Sequence, residues 1–281
     1  MIPVAQAKKD LMYNKNLKNV IDVLKFIASA EFSRVSARVP QEDVLRKEAI
    51  KCCRILPSSA KQNSFCTGSD EKREAFLLVC SDEGFLGGVN TRIVNAAINK
   101  GLRQGAKAIV LGEKGAKLLM SMGIRPKVFP VIPSSGDMKN IISITNYVMG
   151  LYLKKEIGAF NVAYVEFKSF TSHQLQVARI LPCEQAVSYI RDKQDVDAII
   201  APDVDKVMEF VVKLWLRSGL NNIFWSSKLS EWATKVMHLE NSSEELKDIT
   251  NKLKHRYFKS VHALNDKVIR EIFATRAITM A

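Results

Sequence analysis

Residues 74–105 read EAFLLVCSDEGFLGGVNTRIVNAAINKGLRQG. Ala75 to Cys80 form an unbroken apolar run, short enough for a buried strand. A turn follows with three glycines in five residues, Gly84, Gly87 and Gly88. After it, TRIVNAAINKGLRQG reads as a helix that ends at glycine. A glycine-rich turn between a buried strand and a helix is where many α/β proteins cradle a phosphate. The surrounding chain decides between a nucleotide site and a structural turn.

The alternation continues downstream. KAIVLG reads as a strand, EKGAKLLMSMG as a helix and KVFPVI as a weak strand. MKNIISITNYVMGLYLKKE then predicts a helix, NVAYVEFKSF a strand, and HQLQVARILP a further extended stretch. Strands alternating with helices imply a mostly parallel sheet covered on both faces. The expected domain is therefore α/β and Rossmann-like.

Both ends of the chain follow a different rule. All 13 glycines lie between Gly68 and Gly219, and no proline follows Pro202. Glycine and proline are the main breakers of regular structure, so both ends are predicted helical. Near the N-terminus, Leu17, Val20, Ile21, Leu24, Ile27, Ala28, Phe32 and Val35 step by three and four, an amphipathic stripe. Pro40 is expected to interrupt this helix, which resumes through Val44–Ile55.

Near the C-terminus, Leu229, Trp232, Val236, Leu239, Ser243, Leu246, Thr250, Leu253, Tyr257, Ser260 and Leu264 follow a heptad seam. Ser243, Thr250 and Ser260 make it a weakly apolar one. A single helix over Asp203–Phe273 would run roughly 105 Å at about 1.5 Å per residue. Such a helix must project and needs a partner, and the N-terminal helix is the candidate. The expected plan is a long antiparallel coiled coil of the N- and C-terminal helices with an inserted, mostly parallel α/β domain. Its parts are residues 1–67, 68–201 and 202–281.

The chain has 281 residues and is 47% hydrophobic, enough for a sizeable core. No apolar run is long enough to span a bilayer. The five cysteines, Cys52, Cys53, Cys66, Cys80 and Cys183, have no metal-ligand spacing and read as reduced, small apolar residues. The net charge of +13 favours acidic partners. Its excess is spread along the chain, +5 over 1–54, +5 over 55–202 and +3 over 203–281, with no polybasic arm. That weakens a reading as a basic coiled-coil nucleic-acid-binding protein.

A nucleotide- or NAD-binding enzyme is the other alternative. The chain has no G-x-x-x-x-G-K-[ST], and Gly84, Gly87 and Gly88 do not supply G-x-G-x-x-G. Asp82 and Glu83 would repel a phosphate at the turn. The three glycines are therefore expected to serve a tight strand-to-helix connection. No cofactor is expected, and no Ser/His/Asp or Cys/His set suggests a catalytic site. Trp215, Trp225 and Trp232 read as core and seam. His238, His255 and His262 read as a solvated or interface face, and Asp192, Asp195 and Asp197 as a solvated loop.

SDEGFLGGVNT closely resembles the SD-R-G-L-C-G-G-L-N-S/T turn of the gamma subunit of F-type ATP synthases. Other segments resemble the same family in order. LKNVIDVLKFIASAEFSR is similar to its N-terminal T-Q-K-I-T-K-A-M-K-M-V-A-A-A-K-L-R-R, with Lys25, Ala28 and Ala30 identical. VEFKSF resembles N-K-F-K-S, and MHLENSS resembles M-x-A-M-D-N-A-S/T. YFKSVHALNDKVIREI lines up with Y-N-R-x-R-Q-A-x-I-T-K-E-L-x-E-I, matching at Tyr257, Ala263, Lys267, Glu271 and Ile272.

The resemblance implies a non-catalytic rotor shaft in the central stalk, coupling proton-driven rotation to ATP synthesis. Implied partners are the alpha and beta subunits of the catalytic ring, small central-stalk subunits of delta or epsilon type, and the membrane rotor ring of c subunits. Nucleic acid is not among them, and membrane contact comes only through the complex. The implied place is the matrix side of the mitochondrial inner membrane, or alternatively the cytoplasmic face of a bacterial inner membrane.

The sequence also departs from the family. Its Arg-Gln pair in the last helix falls on Val261 and His262, and its Thr before the matching lysine on Asp266. Those residues hydrogen-bond loops of the catalytic ring in the family. Valine cannot do so, and histidine only in part. Lys25, Lys254, Arg256, Val261, His262, Asp266 and Lys267 are the expected coupling residues.

Overall fold

The computed structural model describes residues 3–38, 44–57, 60, 65, 73–103, 105–133, 139–170, 172–183, 188–190, 201 and 203–279. Pro40 and the three aspartates at 192, 195 and 197 lie outside these residues. The elements in chain order are α1 (Val4–Ser36), α2 (Val44–Ile55), β1 (Glu74–Val79), α3 (Val89–Lys100) and β2 (Lys107–Leu111). They continue with α4 (Glu113–Ser121), β3 (Lys127–Phe129), α5 (Lys139–Leu153), β4 (Ala159–Ser169), β5 (Ser172–Leu181) and α6 (Val204–Thr279). The chain divides into two compact units, residues 31–234 and residues 1–30 with 235–281.

Residues 31–234 are built on a five-stranded sheet of order β3-β2-β1-β4-β5. β1 pairs in parallel with β2 and β4, and β2 with β3, while β5 runs antiparallel to β4. The period-two alternation of strand side chains assigns β1 to two cores. Leu77 and Val79 face a layer that also holds Ile141 and Ile144 of α5, and Val212, Leu216 and Phe224 of α6. Phe76 and Leu78 face the other, with Ile93 and Ala97 of α3 and Leu119 of α4. A strand buried on both faces must be apolar throughout, which explains the unbroken run after Glu74.

The tryptophans sit as the sequence predicts. Trp215 and Trp225 are buried in the first layer, and Trp232 packs against it. Arg46 lies 5.2 Å from the Trp215 ring centre and Arg38 5.6 Å from that of Trp225, cation–π distances.

In the unit of residues 1–30 and 235–281, the described parts of α1 and α6 form a pair of antiparallel helical segments. Asn14 bonds at Leu246 and Thr250, Asp22 at Ser243, and Lys25 at Glu240, so the numbers run in opposite senses. On α6 the less exposed stripe is Leu239, Ser243, Leu246, Thr250, Leu253, Tyr257 and Ser260, the expected heptad. Leu264, the last expected seam residue, is exposed.

On α1 the seam differs from the apolar stripe read in the sequence. Among the less exposed positions, Ala7, Leu11, Asn14, Lys18, Ile21, Lys25 and Ala28 keep a regular four-three spacing, with Asp22 and Leu24 shielded beside them. Leu17, Val20 and Ile27 are 38%, 54% and 49% exposed. Polar residues displace apolar ones from this seam because each has a bonding partner across or along it.

Candidate functional site

The turn after β1 is held by its polar residues as much as by its glycines. The Ser81 N–H donates to Asn90 Oδ1 at 3.0 Å, and Asn90 Nδ2 donates to the Ser81 carbonyl at 2.7 Å. The Asn90 amide thus pairs with the backbone of Ser81, fixing the start of α3 beside the end of β1. Asp82 reaches the neighbouring turn after β2. Its carboxylate accepts from the N–H groups of Glu113 at 3.0 Å and Lys114 at 2.8 Å, the first residues of α4. That is a cap on free helix donors at the positive end of the dipole. A phosphate at the start of α4 would need the same donors, so the protein's own carboxylate fills that place. Position 83, arginine in the family turn, is glutamate here, and its carbonyl accepts from Lys114 Nζ at 3.0 Å.

Gly87 and Gly88 have φ of 55° and 77°, in the left-handed region, directly before α3. Gly84 has neither a positive φ nor any atom within 4 Å of an added Cβ. Gly115 of α4 is the most confined glycine on this edge. A Cβ there would stand 2.6 Å from Cys80 Sγ and 2.8 Å from Val110 Cγ2. Burial pushes the Cys80 thiol up to about 12, so it acts as an apolar packing atom.

The expected coupling residues lie in the two-helix unit. Lys25 pairs with Glu240 at 3.0 Å across the seam. Lys254, Arg256, His262, Asp266 and Lys267 are exposed on α6, and Val261 is half-buried. They share no single face. Lys254 and Arg256 are about 160° apart around the helix at about 100° per residue. His262 and Asp266, one turn apart, point away from the seam, and Lys267 reaches Glu271 at 3.7 Å. His238 and His255 are exposed as well. Among the described residues, no group of three His, Cys, Asp or Glu residues could hold a metal ion.

Sequence reasoning missed a buried polar ladder on α6 between Ser226 and Ser81. Lys228 and Glu231 form an ion pair at 2.9 Å with side chains only 7% and 8% exposed. The other Glu231 oxygen accepts from Ser81 Oγ at 2.9 Å, while Ser81 Oγ accepts from the Glu83 N–H at 3.1 Å. Nearby, Ser230 Oγ bonds His173 Nδ1 at 3.0 Å, and Ser226 Oγ accepts from the Phe167 N–H at 3.3 Å. The sequence signal was a lysine and a glutamate three apart among small polar residues and tryptophans, the spacing that brings side chains together on a helix.

The sequence pattern of the family described as ATP synthase matches residues 5–273. The ATP synthase gamma chain of Clostridium acetobutylicum is 27% identical over 207 residues, covering 73% of this chain and 72% of that one. The gamma chain of Clostridium beijerinckii is 22% identical over 261 residues, covering 90% and 89%. Among solved structures, a chain of the Euglena gracilis mitochondrial ATP synthase OSCP/F1/c-ring superposes with TM-score 0.68 at 15% identity, covering 98% of this chain and 94% of that one. A chain of the central stalk and c-ring of the Tetrahymena thermophila mitochondrial ATP synthase superposes with TM-score 0.60 at 18% identity, covering 80% and 99%. Those likenesses place the fold, and the match over nearly the whole length places the sequence: the chain belongs to the gamma-chain family of the ATP synthases.

Proposed function

We propose that this gamma chain is the central-stalk rotor shaft of an F-type ATP synthase, a non-catalytic subunit coupling proton-driven rotation to ATP synthesis. One observation carries the reading beyond family membership. α1 carries large apolar residues away from its seam as well as in it. Its seam faces α6, yet Met12, Tyr13, Val20, Val23, Phe26 and Ile27 lie off that seam and are 49% to 75% exposed. At α6's far end Leu264, Val268, Ile269, Ile272 and Phe273 are exposed too. Apolar surface on this scale marks an interaction site, and its spread around two paired helices suits an enclosing wall.

The wall in this reading is the ring of alpha and beta subunits. The shaft biases each beta subunit's open–closed equilibrium through contact energies that differ with orientation. Residues 1–67 and 202–281 serve as shaft, and residues 68–201 as the part meeting the small stalk subunits and the c ring. Gly84, Gly87 and Gly88 belong to a structural turn, and no cofactor is assigned. The mitochondrial matrix side is one placement. The clostridial relatives support the cytoplasmic face of a bacterial inner membrane instead.

Co-expression with the alpha and beta subunits and the membrane sector tests the assignment. ATP-driven proton pumping that requires this chain is the expected result, and pumping that proceeds without it would end the reading. For the coupling residues, the spread of basic side chains suits diffuse attraction, which varies smoothly with rotation angle. Reversing charge at Lys254 and Arg256 should then reduce coupling more than Val261→Ala, with assembly intact. Unchanged coupling in the reversal, with a large loss in Val261→Ala, would place the coupling in local packing.

A further inference from the structure

We infer that Ser81, Lys228 and Glu231, with His173, Ser226 and Ser230, form a torsional clamp that fixes the rotational setting of α6 on the sheet. The inference rests on the rotor-shaft reading. It assigns to particular side chains the transmission of torque between helix and sheet.

Three observations lead to it. The first is that an ion pair sits where the surroundings are apolar. Lys228 and Glu231 are almost fully buried beside Val79, Leu86 and Phe224. A buried pair of this kind contributes little net stability compared with apolar residues of the same volume. What it adds is a demand for one orientation, because moving either charge off its partner leaves a bare charge out of water.

The second is the placement of the bonds around α6. Ser226 and Ser230 bond the β4–β5 hairpin, at the Phe167 N–H and the His173 ring. Lys228 pairs with Glu231, which bonds Ser81 at the end of β1. At about 100° per residue, the two groups lie about 100–160° apart around the helix axis. A helix gripped on two flanks resists rotation about its own axis in either sense. Apolar side chains resist it less sharply, since their attraction has no direction.

The third is that each anchor is itself held. Ser81 is fixed through its backbone by Asn90. The His173 ring is fixed by its second nitrogen on the Phe170 carbonyl at 3.1 Å. Neutral histidine with the proton on Nε2 donates to that carbonyl and leaves Nδ1 to accept from the Ser230 hydroxyl. A clamp needs anchors that do not turn with what they hold, and both meet this condition.

The test replaces the cluster as a unit, so that neither Lys228 nor Glu231 is left without the other. Ser81→Ala, Lys228→Met and Glu231→Leu are combined in the assembled complex, and Ser81→Ala alone is the milder second variant. Angular fluctuation of a bead on the sheet unit is recorded with the catalytic ring fixed, beside protons pumped per ATP hydrolysed and the melting temperature. The clamp predicts that the triple variant widens the fluctuation variance by about twofold or more, as a cooperative network is lost. Ser81→Ala should give a smaller rise, and the melting temperature should hold. Unchanged variance in the triple variant overturns the clamp. So does a variance that rises only as the melting temperature falls, which would make the cluster a stability element. Wild-type pumping in the same assay checks the rotor-shaft reading separately; its absence would end that reading and the clamp with it.

Discussion

Phe76, Leu77, Leu78 and Phe160 in the sheet unit are almost completely sealed from solvent. In the two-helix unit the corresponding interior is a single seam, and Asn14, Lys18, Lys25, Ser243 and Thr250 occupy much of it. One region is specified by volume and dihedral constraint, the other by paired polar groups. The difference follows from geometry. A sheet covered on both faces has a true interior, where filling space is the main demand. Two helices alone leave every seam residue close to water, so polar side chains can be kept there cheaply and can set register.

The contrast breaks most visibly at Phe160. Phe160→Ala removes a fully buried ring from the first layer and should destabilise the sheet unit by about 3–5 kcal/mol. Among the described residues, the two-helix unit has no fully buried aromatic ring. Leu11→Ala, in the seam, should cost less than half as much. Denaturant melts of the two variants compare them, and equal losses would contradict the division.

Dihedral constraint gives the next effect. Gly115→Ala forces α4 away from Cys80 and Val110 and should cost about 1–3 kcal/mol, the range for overpacking. Gly84→Ala meets no neighbour and no positive φ, so it should be neutral or slightly stabilising, by up to about 1 kcal/mol. Gly88→Ala, at φ 77°, falls between them. A ranking by thermal melts in any other order would mean that the turn is set by something besides backbone conformation and contact.

Asn14→Leu sharpens the other side. The Asn14 amide donates to the Leu246 carbonyl at 2.9 Å and to Thr250 Oγ1 at 2.6 Å. Leucine at this heptad position should raise the stability of the helix pair by about 1 kcal/mol while loosening its register. Spin labels on α1 and on the last turns of α6 would show the register as a distance distribution. A lower melting temperature with an unchanged distribution would make Asn14 a simple stabilising contact.

These two regions also explain what the sequence could convey. The strands, α2, the single C-terminal helix and its heptad were legible because apolar periodicity and the absence of glycine are local properties. The extended stretch after β4 was legible too, though its antiparallel direction was not, since pairing sense is a tertiary choice. The α1 stripe was legible in part: Ile21, Leu24, Ala28, Phe32 and Val35 are shielded, whereas Leu17, Val20 and Ile27 are apolar yet exposed. Periodicity finds an apolar stripe but cannot tell the face toward α6 from a face toward another partner. The ladder at Ser81, Lys228 and Glu231 escaped because 147 residues separate Ser81 from Lys228, and polar partners that far apart leave no periodic trace.

Acid should separate the regions, with the smallest effect of the set. In the sheet unit, partial burial holds His173 below its ordinary value of 6.5, with Arg92 adding repulsion, against the opposing bond to the Phe170 carbonyl. The unfolded chain therefore takes up this proton at higher pH than the folded one. The stability tied to neutral His173 is complete above about pH 6.5 and declines as pH falls below it. In the helix pair, the Lys18 ammonium and the Ser243 hydroxyl hold the Asp22 carboxylate below its ordinary 3.8. Its contribution is complete above about pH 3.8 and is lost only as pH falls through the lower folded value. Asp22 is open to solvent, so salt should shrink that effect. Hydrogen exchange followed from pH 7.5 to 3 should therefore show the β4–β5 hairpin and residues 226–234 loosening first, while the Asp22–Ser243 region stays protected. His173→Asn should flatten the upper step and leave the lower one, and Asp22→Asn should do the reverse. Loosening of both regions in one step, unaffected by either substitution, would show that they respond to acid as a single body and that the local groups named here do not set it.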